Sequence, residues 1–319
     1  MIEKLIGKTP MLKVNFRRNG VKQHIFAKAE WFNLTGSIKD RAAVYMIKKA
    51  KERGTLKDGQ PIIEATSGNM GISIAAIGAC YHHPVHIFMP DWMTEERKKI
   101  LIGYGAILHN VSKNEGGFRG AITMADELAK QIGGFRTSQF SNEDNSEAHY
   151  YGTGREILKD LDGITIAGFV SGIGTGGTLM GVGRCLKEAD SSVKIYAFEP
   201  DTLSTMINGV TEGDHKIAGI GDGFVPELVK ESFIDSIDLI HDEDAIQMAK
   251  KLSRELGLGV GISAGANFLA ASKLAEKGNI VTVFPDDNKK YLSTDLAGEL
   301  EAKEGYLSSE IELLDYEVM

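Results

Sequence analysis

Cysteine is scarce: Cys80 and Cys185 are the two in 319 residues, with no CxxC pair and no neighbouring histidine at metal-ligand spacing. This excludes a disulfide framework and a zinc site. Both thiols lie inside mostly apolar helical runs, and both are expected in the core of a protein kept in a reducing compartment. No apolar run approaches the ~20 residues of a membrane span, and segment 1–7 lacks the apolar stretch of a secretory leader. A cytoplasmic protein without membrane contact is expected. Excess positive charge is also missing, since 36 Lys and Arg against 44 Asp and Glu give a net charge of -8. That argues against a nucleic-acid surface and for small-molecule partners. No Pro-rich linker, repeat or low-complexity tract breaks the chain, and with 42% hydrophobic and 25% charged residues it has a globular makeup, long enough for two lobes.

What is present is an alternation of strand and helix patterns. Strand-like segments at 24–30, 61–65, 85–89 and 106–111 are followed by helical patterns from 39 to about 53, from 69, from 94 and from 118. Helix-sized crossovers of this kind predict parallel sheets covered on both faces. A helical pattern from about 147, a strand at 167–170, a glycine-rich loop, a helix and a strand at 194–198 form a second lobe. The expected fold is α/β in two lobes, each a mostly parallel sheet flanked by helices, with a boundary near 145.

In Asn33-Leu34-Thr35-Gly36-Ser37-Ile38-Lys39-Asp40-Arg41, a glycine and a serine set Lys39 in the first turn of a helix. Ala43, Met46, Ile47 and Ala50 follow at three- and four-residue steps, and Ser37 with Asp40 fits a helix-start pattern. The positive helix end and partial burial favour the neutral amine, the only form that attacks an aldehyde; Lys39 is thus a candidate Schiff-base lysine for pyridoxal phosphate. Thr66-Ser67-Gly68-Asn69-Met70-Gly71 joins a strand to a helix, where backbone N–H groups suit a carboxylate. Ser171-Gly172-Ile173-Gly174-Thr175-Gly176-Gly177-Thr178 joins another strand to a helix with more glycines than a turn requires, as close approach by a phosphate does. Gly172, Gly174 and Gly177 also satisfy GxGxxG, with Glu199 about the right distance on, which is the pattern of an NAD-dependent oxidoreductase. That rival leaves the lysine stretch and the 66–71 loop unexplained. Gly261-Ile262-Ser263-Ala264-Gly265-Ala266 opens a helix, and Phe284-Pro285-Asp286-Asp287-Asn288 ends a strand that opens into the same crevice.

In this combination the chain resembles the cysteine synthase and cystathionine β-synthase family of fold type II pyridoxal-phosphate enzymes, from Gly7 to about Thr294. The resemblance makes Lys39, in GSxKDR, the cofactor lysine and gives Asn69 to the cofactor's ring oxygen. It assigns Thr66, Ser67, Gly68 and Met70, the counterpart of TSGNTG, and Gln139 of a Gln-Phe pair to the substrate. Gly174, Thr175, Gly176, Gly177 and Thr178 correspond to the phosphate cup, and Ser263 to the partner of the pyridine nitrogen. It further implies a homodimer, a larger cofactor-binding domain of 1–34 and 146–319, and a smaller mobile substrate-binding domain of 35–145. A neutral hydroxyl at the ring nitrogen makes the ring a weaker electron sink, so loss of a β-substituent is favoured over a long-lived carbanion. The implied chemistry is β-elimination or β-replacement on a β-substituted L-alanine through an α-aminoacrylate.

Four positions depart from the family's pattern. Met70 stands for a threonine, Glu143-Asp144 for Pro-Ala, Asp287-Asn288 for Ser-Gly, and Asp222 for the apolar residue of GIGAGF in Gly219-Ile220-Gly221-Asp222-Gly223-Phe224. Facing the reacting carbon, Asp222 would meet hydrosulfide with like charge, a cost of roughly 4 kcal/mol at ~4 Å and an effective dielectric of 20. Water would instead gain a base. The leading expectation is L-cysteine plus water to L-serine plus hydrogen sulfide, with Asp222 activating the water. The alternatives are an O-acetylserine sulfhydrylase, a thioether-forming β-synthase, the dinucleotide oxidoreductase, and a binding module without turnover. The acidic tail 299–319, with Leu307, Ile311, Leu313 and Leu314, is expected to pack on a lobe or at a dimer contact, and Trp31 and Trp92 have no assigned role.

Overall fold

The computed structural model describes residues 2–299, 303 and 305–319. Strands β1 (Met11–Arg18) and β2 (Val21–Ala29) form an antiparallel hairpin leading to α1 (Lys39–Glu52). Strand and helix then alternate through β3 (Ile62–Ala65), α2 (Asn69–Cys80), β4 (Val85–Pro90), α3 (Glu95–Gly103), β5 (Ile107–Val111), α4 (Gly117–Ile132) and β6 (Phe135–Arg136). Next come α5 (Glu143–Ala148), a π-helical segment (His149–Gly154) and α6 (Arg155–Asp160). β7 (Gly168–Gly172), α7 (Gly177–Ala189), β8 (Lys194–Pro200), α8 (Thr205–Asn208), β9 (Ser236–Ile240) and α9 (Asp242–Leu256) follow. The chain closes with α10 (Ile262–Leu274), β10 (Ile280–Phe284), α11 (Leu307–Glu310) and β11 (Ile311–Val318).

The strands form two sheets. One, in the order β5-β4-β3-β6, is wholly parallel; the other, β11-β1-β2-β10-β7-β8-β9, is parallel from β2 to β9 and antiparallel across β11, β1 and β2. β3 and β10 are buried at every position, as the near-continuous apolar runs of a doubly covered sheet require. The α/β class with two mostly parallel sheets is the one expected. Because the strands are parallel, the loops after β3, β7 and β10 leave their carboxyl ends, where α/β proteins place their ligands.

Several local expectations change. Ser37 does not cap α1: its hydroxyl has no hydrogen-bond partner, and the Asp40 carboxylate reaches back to the Thr35 N–H at 2.7 Å and hydroxyl at 2.6 Å. The helical stretch expected from 147 begins at Glu143, because Asn142 accepts from the Asp144 N–H as a side-chain cap. Cys185 is buried, but Cys80 is exposed, since α2 ends there at a surface turn. The acidic tail packs on a lobe, with β11 forming the outer strand beside β1; residues 300–302 and 304 of that tail lie outside the described residues. No helix among the described residues is long and apolar enough to cross a membrane.

Candidate active site

Lys39 begins α1 and faces a cleft of about 540 Å³, mouth included, which it lines with Asn69, the 171–178 loop, Gly219 and Ser263. Burial pushes its ammonium pKa down, while the nearby Asp222 and Asp286 carboxylates pull it back up. The shift toward the neutral amine is the one expected, with burial as the larger cause. The lysine stretch is clamped from outside by Lys290, whose buried ammonium donates to the Gly36 carbonyl at 2.9 Å and lies 3.6 Å from Asp287. A Cβ on Gly36 would fall 2.8 Å from Asp287, so Asp287 braces this turn.

The loop between β7 and α7 forms a cradle. The first turn of α7 leaves N–H groups without intrahelical acceptors beside the cleft, which Gly176 and Thr178 line. Thr175 accepts from the Asn145 amide at 3.0 Å and the Gly177 N–H at 3.3 Å, so its own proton is available to the cleft. Protein contacts account for the glycines as well: a Cβ on Gly174 would fall 2.2 Å from the Gly219 carbonyl oxygen, and one on Gly177 2.2 Å from Asn145. Thr178 neighbours His149, which is fully buried and held neutral by burial and by Lys39 and Arg41. The dinucleotide reading fails here. The Glu199 carboxylate, 3% exposed, is occupied by the N–H groups of Met206 and Ile207, which leaves it no ribose to bind.

On the other side, Thr66, Ser67, Asn69, Met70 and Gln139 line a pocket shared with Lys39, Thr175 and Asp222. Gly68 caps α2 with φ 153°, and its N–H donates to the Thr66 hydroxyl at 3.1 Å. Gln139 is fixed by Glu64 of β3, which accepts the Gln139 N–H at 3.1 Å and pairs with Arg136 at 2.9 Å, while the Gln139 amide donates to the Ala65 carbonyl at 3.0 Å. Met70 is a buried wall, 1% exposed. Asp222 sits between Gly221 and Gly223, both at positive φ, on a loop held by the His215 ring to the Gly221 carbonyl at 2.8 Å and by Arg119 to the Gly223 carbonyl at 3.1 Å. Burial raises the pKa of Asp222 against the opposing pull of His215 and Lys39. Of the candidates, Lys39, Asn69, Gly174, Thr175, Gly176, Thr178 and Ser263 line the first cleft, and Thr66, Ser67, Met70, Gln139 and Asp222 line the second with Lys39, Asn69 and Thr175, while Gly68 and Gly177 line neither and support the loops beside them.

Sequence reasoning placed Asp286 at a strand end by the crevice without giving it a role, and it missed Asn145 and Arg97. Asp286 is fully buried and accepts from Asn69 at 2.8 Å and Tyr291 at 2.7 Å. Asp144 and Glu143 prove structural: Asp144 takes both guanidinium nitrogens of Arg53 at the end of α1, and Glu143 starts α5 at the surface. Trp31 stacks near Phe284, and Trp92 lies at the cleft mouth.

The pocket fits pyridoxal phosphate. The Asn69 carbonyl oxygen is buried without a partner at the cleft wall, Ser263 lines the cleft without a hydrogen bond from its hydroxyl among the described residues, and the α7 cradle suits a phosphate. Such a site, at the strand ends of two mostly parallel sheets, is that of an α/β enzyme using a phosphate-bearing aldehyde cofactor on a small amino acid. The chain matches the family described as pyridoxal-phosphate dependent enzyme over residues 2–286, and it belongs to that family. It is 39% identical over 299 residues to a cysteine synthase of Staphylococcus aureus, covering 92% of this chain and 96% of that one. A hydrogen sulfide-producing enzyme of Fusobacterium nucleatum is 50% identical with a TM-score of 0.96, covering 100% and 98% of the two chains. An aspartate-to-asparagine variant of a hydrogen sulfide-producing enzyme, 51% identical with a TM-score of 0.96 over 98% and 96% of the chains, was solved with an α-aminoacrylate intermediate. The cysteine synthase of Entamoeba histolytica is 36% identical with a TM-score of 0.87, over 97% and 93%. The protein is a pyridoxal-phosphate dependent enzyme of sulfur amino acid metabolism.

Proposed function

We propose that the enzyme converts L-cysteine and water into L-serine and hydrogen sulfide, with Lys39 handling the Cα proton and Asp222 activating the water. The observation that carries this reading is a carboxylate, Asp222, lining the same pocket as Lys39. When bound, pyridoxal phosphate supplies an electron sink beside Cα. Gly174, Thr175, Gly176, Gly177 and Thr178 hold its phosphate, Asn69 its ring oxygen and Ser263 its ring nitrogen. Thr66, Ser67, Gly68 and Gln139 hold the substrate carboxylate at the start of α2, with Met70 as the wall.

The neutral amine of Lys39 takes the Cα proton, the Cβ–S bond breaks, and the electron pair leaves with sulfur as hydrosulfide. Asp222 then accepts a proton from water as its oxygen bonds to Cβ, and Lys39 returns a proton to Cα. A raised pKa makes Asp222 a stronger base than an exposed carboxylate. The hydrogen sulfide-producing neighbours and the aspartate variant solved with its intermediate support this direction over cysteine synthesis. In the same reading 35–145, which contains the four-stranded sheet, is a mobile substrate domain closing on 1–34 with 146–319, and the protein acts as a cytoplasmic homodimer.

The test is Asp222→Asn with sulfide and serine measured separately. Serine formation is expected to fall by roughly 100-fold or more, the contribution of a general base, while the cofactor's visible absorption remains. Unchanged serine formation contradicts the reading.

A further inference from the structure

We infer that Arg97 is an anion-binding residue in the neck of the active site, where it receives the departing hydrosulfide. This rests on the proposed release of sulfide from cysteine. Ser67, Arg97, Phe118, Gly219 and Asp222 line both the inner pocket, which holds Lys39, and the wide outer mouth of about 1370 Å³. They form the passage between the two. The residues shared by the two pockets include one guanidinium, that of Arg97, and one carboxylate, that of Asp222.

Arg97 is 4% exposed, and among the described residues it has no carboxylate at ion-pair distance and no partner for Nε. Its guanidinium lies over the Tyr291 ring, 4.7 Å from the centroid. Gly68 leaves room for it, since a Cβ there would fall 2.4 Å from the Arg97 Cδ and 2.6 Å from Nε. The nearby Asp286 carboxylate and Tyr291 hydroxyl feel the charge of Arg97 but leave it without a direct ion pair and its Nε without a partner among the described residues, so an anion that visits the neck gains a charge-assisted contact. The substrate carboxylate already has the N–H groups at the start of α2. Hydrosulfide, in contrast, must pass Asp222, whose charge opposes it. Arg97 on the same neck cancels that opposition. The carboxylate thereby serves as a base for water without trapping the leaving group inside.

The experiment titrates the holoenzyme, without amino acid, with sodium hydrosulfide and sodium thiocyanate, reading thermal stabilisation and the cofactor spectrum. Both salts are then used as inhibitors of cysteine turnover. Wild type is expected to bind both saturably, Arg97→Gln to weaken both by roughly tenfold, and Arg97→Lys to stay within about threefold of wild type, with the KM for cysteine little changed in both variants. Absence of saturable anion binding in wild type overturns the inference, even if Arg97→Gln fails to fold. A large rise in KM with unchanged anion binding assigns Arg97 to the substrate carboxylate and also overturns it. Equal loss of anion binding in both variants marks a packing role and overturns it as well. If cysteine releases no sulfide while thiocyanate binding still depends on Arg97, the reaction assignment fails and the anion site stands.

Discussion

Lys39 and Asp222 are both pushed toward their neutral forms by the same burial, and the two shifts have opposite consequences. In the proposed reaction the lysine works as the neutral amine. In the same proposal the aspartate works as the charged carboxylate, and keeping it ionised against its burial costs stability. The sign follows from linkage: a carboxyl group whose folded pKa lies above its unfolded value contributes stability that is fully present below the unfolded pKa and is lost as pH rises through the folded pKa. Asp222→Asn is therefore expected to melt higher than wild type at neutral pH, with the difference shrinking at about pH 4. Thermal melts of the two proteins at both pH values check this, and a variant less stable than wild type at neutral pH contradicts it. Lys39 and Asp222 were legible in the sequence because each lies in a short motif whose neighbours are local, the lysine matching its motif and the aspartate departing from it. Asp286 and Arg97 were not, since their partners are brought together only by the fold: Asn69 and Asp286 are 217 residues apart.

At the scale of elements, the cradle before α7 does two jobs. Its glycines let the chain turn against the cofactor cleft, and they let the loop bearing Asp222 lie against it, with the Gly221 N–H bonded to the Ile173 carbonyl at 3.0 Å. Gly174→Ala places a Cβ 2.2 Å from the Gly219 carbonyl oxygen, a contact that backbone must relieve. The expected loss is about 1–3 kcal/mol of stability, with weakened cofactor retention, read by denaturant unfolding and by the visible absorption of the purified protein; a fully loaded variant of wild-type stability contradicts it. The βα alternation was readable because helical and strand periods differ. β11 was not, because its burial alternates at only its first positions and fades into exposed residues, so nothing local announces a strand whose partner, β1, lies nearly 300 residues earlier. The break between α5 and α6 likewise follows from packing, since Gly181 of α7 sits against the Ser146 carbonyl.

At the scale of the molecule, one buried network joins the segment carrying Lys39 to the seven-stranded sheet. Arg41 donates to Glu30 at the end of β2 at 2.6 and 2.9 Å, to Glu156 of α6 at 2.8 and 2.7 Å, and to the Thr9 hydroxyl at 3.0 Å. With its donors occupied, Arg41 pairs with both carboxylates, and the Glu156 carboxyl is drawn down to about 2. The first turn of α1 is thereby fixed from behind while its lysine faces the cleft. The cleft brings Lys39 and Asp222 into one pocket beneath a neck shared by Arg97 and Asp222. In the proposed reaction that arrangement expels an anion and admits a neutral nucleophile. The most direct measurement is the product balance of the holoenzyme given L-cysteine alone, with sulfide, serine and pyruvate quantified together. The account predicts sulfide and L-serine in equal amounts with little pyruvate; sulfide accompanied by pyruvate and ammonia in place of serine, or turnover only of O-acetylserine with added sulfide, would contradict it.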